Sequence, residues 1–236
     1  MLNQLKPKRV LAIFAHPDDE LSVAGTLANH AENGDEVTMV FLTKGENSTT
    51  VQGDSSETVV KRKLHVEKIE QILGITIETM DFPDSKIEYN VENSYKVAEI
   101  IKKYRPHILI TWNKFRNIGG GHPDHRNCSD IVLDAVSYAR YQTAGSEHEP
   151  YRDLFNVYIF HDPTQYNNKS VVYIDVSKQV NKIKQFIEVY KEAYGEWPVE
   201  RTKMSSMSYH GRFVGVEYAE VLELVMSRNT VQLTLN

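Results

Sequence analysis

Short apolar runs alternate with stretches of helical period along most of the chain. Residues 10–14, Val-Leu-Ala-Ile-Phe, form an unbroken apolar run, which predicts a strand buried on both faces. Residues 21–28 then predict a helix, with Pro17 suited to its first turn and Asn33-Gly34-Asp35 as its stop. Residues 36–43 predict a second strand. A long polar loop follows, then a helix over 57–73 capped by Ser55 or Ser56, with Val60, Leu64, Ile69 and Ile72 among its apolar positions. Gly74 ends it and 75–80 predict a third strand. A helix over 91–104 presents Val97, Ile100 and Ile101 inward, and Pro106 leads into a fourth strand over 107–112. Residues 123–141 predict the next helix. Later, 156–160 and 171–176 predict strands joined by a turn-rich connection over 161–168, 177–194 a helix, and 217–226 a last helical segment.

This alternation predicts an α/β fold, a Rossmann-like doubly wound, mainly parallel sheet with helices on both faces. No repeat, low-complexity segment or linker interrupts it, so residues 1–236 read as a single domain. Hydrophobic residues at 41% and charged residues at 25% are ordinary for a soluble globular chain. A net charge of -5, with basic residues scattered, speaks against a nucleic-acid partner. No apolar run is long enough for a membrane span, and the N-terminal residues lack a signal-peptide layout. The single cysteine, Cys128, excludes an internal disulfide framework and fits a cytoplasmic location; it reads as a small buried side chain. Pairs such as Lys102-Lys103 read as solvated faces. A homo-oligomer is compatible with all of this.

The chemistry gathers at two strand ends. Ala15-His16-Pro17-Asp18-Asp19-Glu20 follows the first strand, and Gly119-Gly120-Gly121-His122-Pro123-Asp124-His125 follows the fourth. In α/β sheets this rim is where ligands bind. His16 and Asp19, three apart, would share one side of a first helical turn, and His125 completes a set of two imidazoles and one carboxylate suited to zinc with one position open for water. Zinc brings the pKa of such water to roughly 7, and Asp18, not needed as a ligand, is the natural general base. The bland alternative is that Asp18, Asp19 and Glu20 are acids favoured at a helix start.

These two motifs resemble those of the PIG-L, or LmbE-like, family of zinc-dependent N-acetylglucosamine deacetylases. Lys44-Gly45-Glu46, Arg62, Phe82-Pro83-Asp84-Ser85, Ile174-Asp175-Val176-Ser177 and 215–220 extend the resemblance over nearly the whole chain. It implies His16, Asp19 and His125 as ligands of Zn2+, with Fe2+ an alternative, and Asp18 as base. It implies His122 as the group that stabilises the oxyanion or protonates the leaving amine, and Asp124 as the carboxylate that orients a histidine. Arg62 and Asp84 match positions associated with sugar recognition. Arg62 could equally form a salt bridge on its helix, and Asp84 an Asx-turn or cap. The implied substrate is a small-molecule amino-sugar conjugate: N-acetylglucosamine linked to inositol, malate or related groups, including precursors of low-molecular-weight thiols such as bacillithiol. The sequence departs from the family at His65, at Tyr190-Lys191-Glu192-Ala193 and at Gly120, in segments that shape the sugar pocket. A different N-acyl amide, or a noncatalytic sugar-binding relative, are the competing readings. Tyr209 and His210 have no assigned role.

Overall fold

The computed structural model describes residues 6–48, 54–115, 121–161, 170–194 and 199–227. Residues 117–120 of the glycine-rich loop, most of the connection over 161–168, and the middle of the loop before residue 54 lie outside them. Strand β1 (Arg9–Phe14) is the innermost element: Leu11, Ala12, Ile13 and Phe14 are fully buried. It pairs in parallel with β2 (Glu36–Thr43) on one side and β4 (Ile108–Thr111) on the other. Strand β3 (Thr76–Phe82) adds in parallel to β2, and β5 (Asn156–Phe160) to β4. The sheet closes with two antiparallel strands, β7 (Ala219–Met226) beside β5 and β6 (Ser170–Asp175) at the edge, giving the order β3-β2-β1-β4-β5-β7-β6. Chain order reverses at β1, so the crevice between the carboxyl ends of β1 and β4 is the switch point at which such sheets bind ligands.

Helices α1 (Ala24–Glu32), α2 (Ser55–Leu73) and α5 (Val180–Tyr194) pack on one another, and α3 (Val91–Tyr104) packs on α4 (Pro123–Tyr138). Asp54, rather than Ser55 or Ser56, caps α2: one oxygen accepts the amides of Ser56 and Glu57 at 2.9 and 3.0 Å. Val60 and Leu64, counted among the apolar positions of this helix, are 61% and 53% exposed, because α2 turns Thr58, Arg62, His65 and Ile69 to the protein. Lys102 is no solvated residue: it is 2% exposed, with its ammonium on Glu99 at 2.6 Å and Thr143 at 2.8 Å. Lys103 does reach the surface, paired with Glu78. Cys128 is buried, as expected.

The largest departure lies late in the chain. Residues 219–226 form strand β7, not a helix, and a helix the sequence pattern did not reveal, α6 (Val199–Val214), precedes it. The reason is visible in Glu220. Helix α1 starts without a side-chain cap of its own. Glu220, 3% exposed, reaches across to accept the amides of Gly25 at 3.1 Å and Thr26 at 2.8 Å and the Thr26 hydroxyl at 2.7 Å. Its other partner is Lys203 of α6 at 2.6 Å. A buried glutamate in a strand is thus the cap of a distant helix, complementing the free N–H groups and positive end of its first turn. Glu220→Ala leaves the α1 amides without their acceptor and Lys203 without its carboxylate, though still on the Ser22 carbonyl at 3.1 Å, and a loss of about 3–5 kcal/mol is expected in urea unfolding; a loss below about 1 kcal/mol, the size of an exposed pair, would show the link to be ornamental.

Candidate functional site

The chain leaves β1 in 3-10 turns rather than in an α-helix begun at Pro17: Asp19 N–H bonds His16 C=O at 3.3 Å and Leu21 N–H bonds Asp18 C=O at 3.2 Å, before α1 starts at Ala24. His16 and Asp19 still meet, because the Asp19 carboxylate folds back over the strand end. Its Oδ2 accepts three N–H groups: Ala15 at 3.0 Å, His16 at 2.9 Å and the Trp112 indole at 2.8 Å. Its Oδ1 faces His125 Nε2 at 3.2 Å. His16 Nδ1 lies 3.8 Å from the same carboxylate. Ligand atoms of His16, Asp19 and His125 all fall within 4.8 Å of one another. Two imidazoles and a carboxylate so gathered, with one carboxylate oxygen already fixed by three donors, fit a divalent cation.

The two histidines are held from behind. His16 Nε2 is 3.1 Å from Asp124 Oδ2 and 3.3 Å from Asp84 Oδ1. This carboxylate contact on the far nitrogen is the arrangement that fixes tautomer and ring in metal sites, leaving Nδ1 to face the cation. Asp124, 1% exposed, is itself fixed by the amides of Ser85 at 2.8 Å and Ile87 at 3.3 Å. Asp84 accepts the Asn47 amide at 2.9 Å, so much of its capacity is used within the protein. The His125 ring stacks on Trp112 at 3.8 Å and 10°. His122 caps α4, its Nδ1 accepting the Asp124 amide at 3.2 Å, with Pro123 at the first helical position. In the metal-free protein burial opposes the His16 charge, but Asp124, Asp84 and Asp19 overcome it and raise the pKa to about 10. Burial also opposes ionisation of Asp19, which His125 and His16 nevertheless hold down at about 2. For His122, burial and the charges of His16 and His125 outweigh the nearby carboxylates and lower the pKa.

Asp18 sits beside this cluster with φ at 121°, a conformation that costs a residue other than glycine about 1–3 kcal/mol. What holds it there is Glu20, which is fully buried: Oε2 accepts the Asp18 amide at 2.8 Å and Oε1 the Tyr190 hydroxyl at 2.8 Å. The Asp18 carboxylate meets the Tyr194 hydroxyl and, at 3.5 Å, Arg62 Nη2. Burial and the Asp19 charge raise Asp18 to about 7 against the pull of Arg62 and His16. Arg62 is 4% exposed, lies over the Tyr194 ring at 4.9 Å and donates to Ser48 at 3.1 Å. Its Nε and Nη1 are buried without a partner. It is therefore no surface salt bridge. His65, one of the departures, is buried near Tyr190.

The expected residues thus come together: His16, Asp18, Asp19, Arg62, Asp84, His122 and His125 line one cavity of about 500 Å³ with Tyr194, and Asp124 stands behind it. Sequence reasoning missed Glu20, Trp112, Tyr190 and Tyr194. Two tyrosines four apart on one helix were the available signal for the last pair.

Residues 11–136, more than half of the chain, match the family described as PIG-L: GlcNAc-PI de-N-acetylase. The chain belongs to the PIG-L family. A diacetylchitobiose deacetylase of Thermococcus kodakarensis is 28% identical over 92% of this chain and 83% of its own length. A 1D-myo-inositol 2-acetamido-2-deoxy-alpha-D-glucopyranoside deacetylase of Nakamurella multipartita is 31% identical, over 56% of each chain. Among solved structures, the N,N'-diacetylchitobiose deacetylase of Pyrococcus horikoshii, bound to its inhibitor MPG, superposes with a TM-score of 0.82 at 22% identity, covering 93% of this chain and 84% of that one. The fold is therefore shared over most of the chain, well beyond the segment that the family description matches.

Within this PIG-L site the Glu20 clamp makes a separable prediction for the metal-free protein. Burial and the Asp18 charge push the Glu20 carboxyl up to about 8 from 4.5. The folded state therefore favours its protonated form: that contribution is complete below the unfolded value of 4.5 and lost as pH rises through about 8. Glu20→Gln, neutral throughout, should gain stability on the wild type between about pH 5 and pH 8 in thermal unfolding. Parallel curves for the two proteins would contradict the reading. Glu20→Ala, which leaves the Asp18 amide and the Tyr190 hydroxyl without an acceptor, should lose about 1–3 kcal/mol.

Proposed function

We propose that this chain is a zinc-dependent amidohydrolase that removes the acetyl group from an N-acetylglucosaminyl conjugate. The observation that carries the reading is the juxtaposition of His16, Asp19 and His125 with a half-buried carboxylate, Asp18, that the ligand set does not need. Two histidines and one carboxylate form a catalytic zinc set, and the same three donors accommodate Fe2+. When bound, the cation would polarise the amide carbonyl and bring the pKa of coordinated water to about 7.

The protein groups divide the remaining work. Asp18 accepts the proton of the attacking water, its carboxylate aimed by Tyr194 and Arg62. His122 uses Nδ1 to accept the Asp124 amide, so its neutral ring carries the proton on Nε2. That N–H donates to the oxygen on which charge develops. A neutral donor here agrees with the lowered pKa, and it leaves the return of the proton to the departing amine to Asp18. Arg62, Asp84 and the Ser48 hydroxyl offer a sugar the polar lining it requires. The hydrolase is read as a cytoplasmic enzyme acting on a small amino-sugar conjugate. The acetylated amino sugars named for its relatives, diacetylchitobiose and GlcNAc-inositol, are the first substrates to assay, with GlcNAc-malate and free GlcNAc beside them.

Asp18→Asn should retain its zinc and lower kcat by about 10²–10⁴-fold; full turnover with intact zinc would remove Asp18 from the mechanism. His125→Ala should emerge from purification depleted of metal by elemental analysis, and an unchanged metal content would take it out of the ligand set.

A further inference from the structure

A second cavity, of about 480 Å³, meets the first at Asp18, Asp19 and His125. The sheet order shows how the two differ. The first is built by residues following β1, β2 and β3, together with α2, α5 and the start of α4. The second is built from the other half of the sheet: Trp112 after β4, His161 after β5, Ala219, Glu220 and Val221 of β7, and the facing side of α6. The two spaces therefore extend to opposite sides of the reacting centre.

Their linings differ in what they ask of an occupant. The first is lined by polar groups, among them Arg62, Asp84, Asn47 and Ser48. In the second the charged groups have partners already: Lys203 holds Glu220 at 2.6 Å, and His161 holds Glu223 at 3.1 Å. The rest of the lining is Leu21, Trp112, Val199, Met207, Ala219 and Val221, with the uncharged hydroxyls of Ser22, Thr202 and Ser206 and the His210 ring among them. A planar amide sends its nitrogen substituent and its acyl carbon in diverging directions from the carbonyl. With the sugar among the polar groups beside Arg62, the acyl substituent leaves toward α6. A single methyl occupies only a small part of a space whose volume lies within the roughly 300–1,000 Å³ of pockets that hold whole ligands.

We propose that this second cavity is an acyl subsite, and that the enzyme hydrolyses N-acyl glucosamines with unbranched acyl chains longer than acetyl. The proposal rests on the amidohydrolase reading above and extends it to the acid half of the substrate. The reaction balances as before: water adds, the C–N bond breaks, and a carboxylate and an amine leave.

The test compares methyl glycosides of N-acetyl-, N-butanoyl- and N-hexanoyl-glucosamine on the zinc-loaded protein, with wild type beside Ser206→Trp. Ser206 is an exposed residue of α6 on the cavity wall and no part of the ligand set, so the replacement is tolerated by the fold and narrows the space. The expected result is kcat/KM for the hexanoyl amide at or above that for the acetyl amide. In Ser206→Trp the ratio of hexanoyl to acetyl kcat/KM should fall about tenfold or more, the scale on which hydrophobic pockets discriminate chain length. Cleavage of the acetyl amide with the hexanoyl amide about a hundredfold slower would overturn the subsite while leaving the hydrolase intact. A ratio unmoved by Ser206→Trp would overturn it as well. No cleavage of any amide would refute the hydrolase reading itself, and the subsite with it.

Discussion

The structure depends on one carboxylate. Asp19 is almost fully buried at the end of the central strand, where an ionised group needs compensation from every side. Three N–H groups, two from the backbone just past the strand and one from the Trp112 indole, fix one of its oxygens. The other oxygen turns to His125, from a helix that begins only after the fourth strand. A single side chain thus ties together the ends of β1 and β4 and the start of α4. The position is possible because parallel strands direct their carboxyl ends to one rim and chain order reverses there. A charge buried with this many partners is rigid, which a metal centre requires of its ligands.

The remaining polar groups read as consequences. His16 reaches Asp19 with one nitrogen and two further carboxylates with the other, so its ring has little freedom to turn. Asp18 is held in a strained backbone by Glu20, and its carboxylate is approached by Arg62 and Tyr194 from two different helices. Strain kept by several independent contacts is typical of residues with a functional task. Glu220 joins β7, α6 and α1, and thereby sets one wall of the second cavity at the rim.

Much of this was legible in the chain itself. Most of the parallel strands announce themselves as apolar runs between helical stretches; the first histidine motif falls directly after one, and the second follows the fourth strand by way of the glycine-rich loop. The late region was opaque for a physical reason. Ala219-Glu220-Val221-Leu222-Glu223-Leu224 has the composition of a helix, and buried strands are not expected to carry glutamates. Glu220 and Glu223 are tolerated there only because α1, Lys203 and His161 arrive from elsewhere to meet them. Helix α6 escaped notice because serine, threonine and lysine dilute its apolar stripe. Arg62, Lys102 and Val60 illustrate the same limit within α2 and α3. In α3 the apolar positions Val97 and Ile101 do turn inward, with Lys102 buried beside them on Glu99 and Thr143; in α2 the inward face carries Arg62, which no count of apolar residues reveals.

X-ray absorption at the zinc edge of the zinc-loaded protein reads directly which atoms surround the metal. The predicted first shell holds only nitrogen and oxygen at about 2.0–2.2 Å, with the multiple scattering of two imidazoles. A sulfur neighbour at about 2.3 Å, which only Cys128 or a methionine could supply, or the signature of a single imidazole, would contradict it.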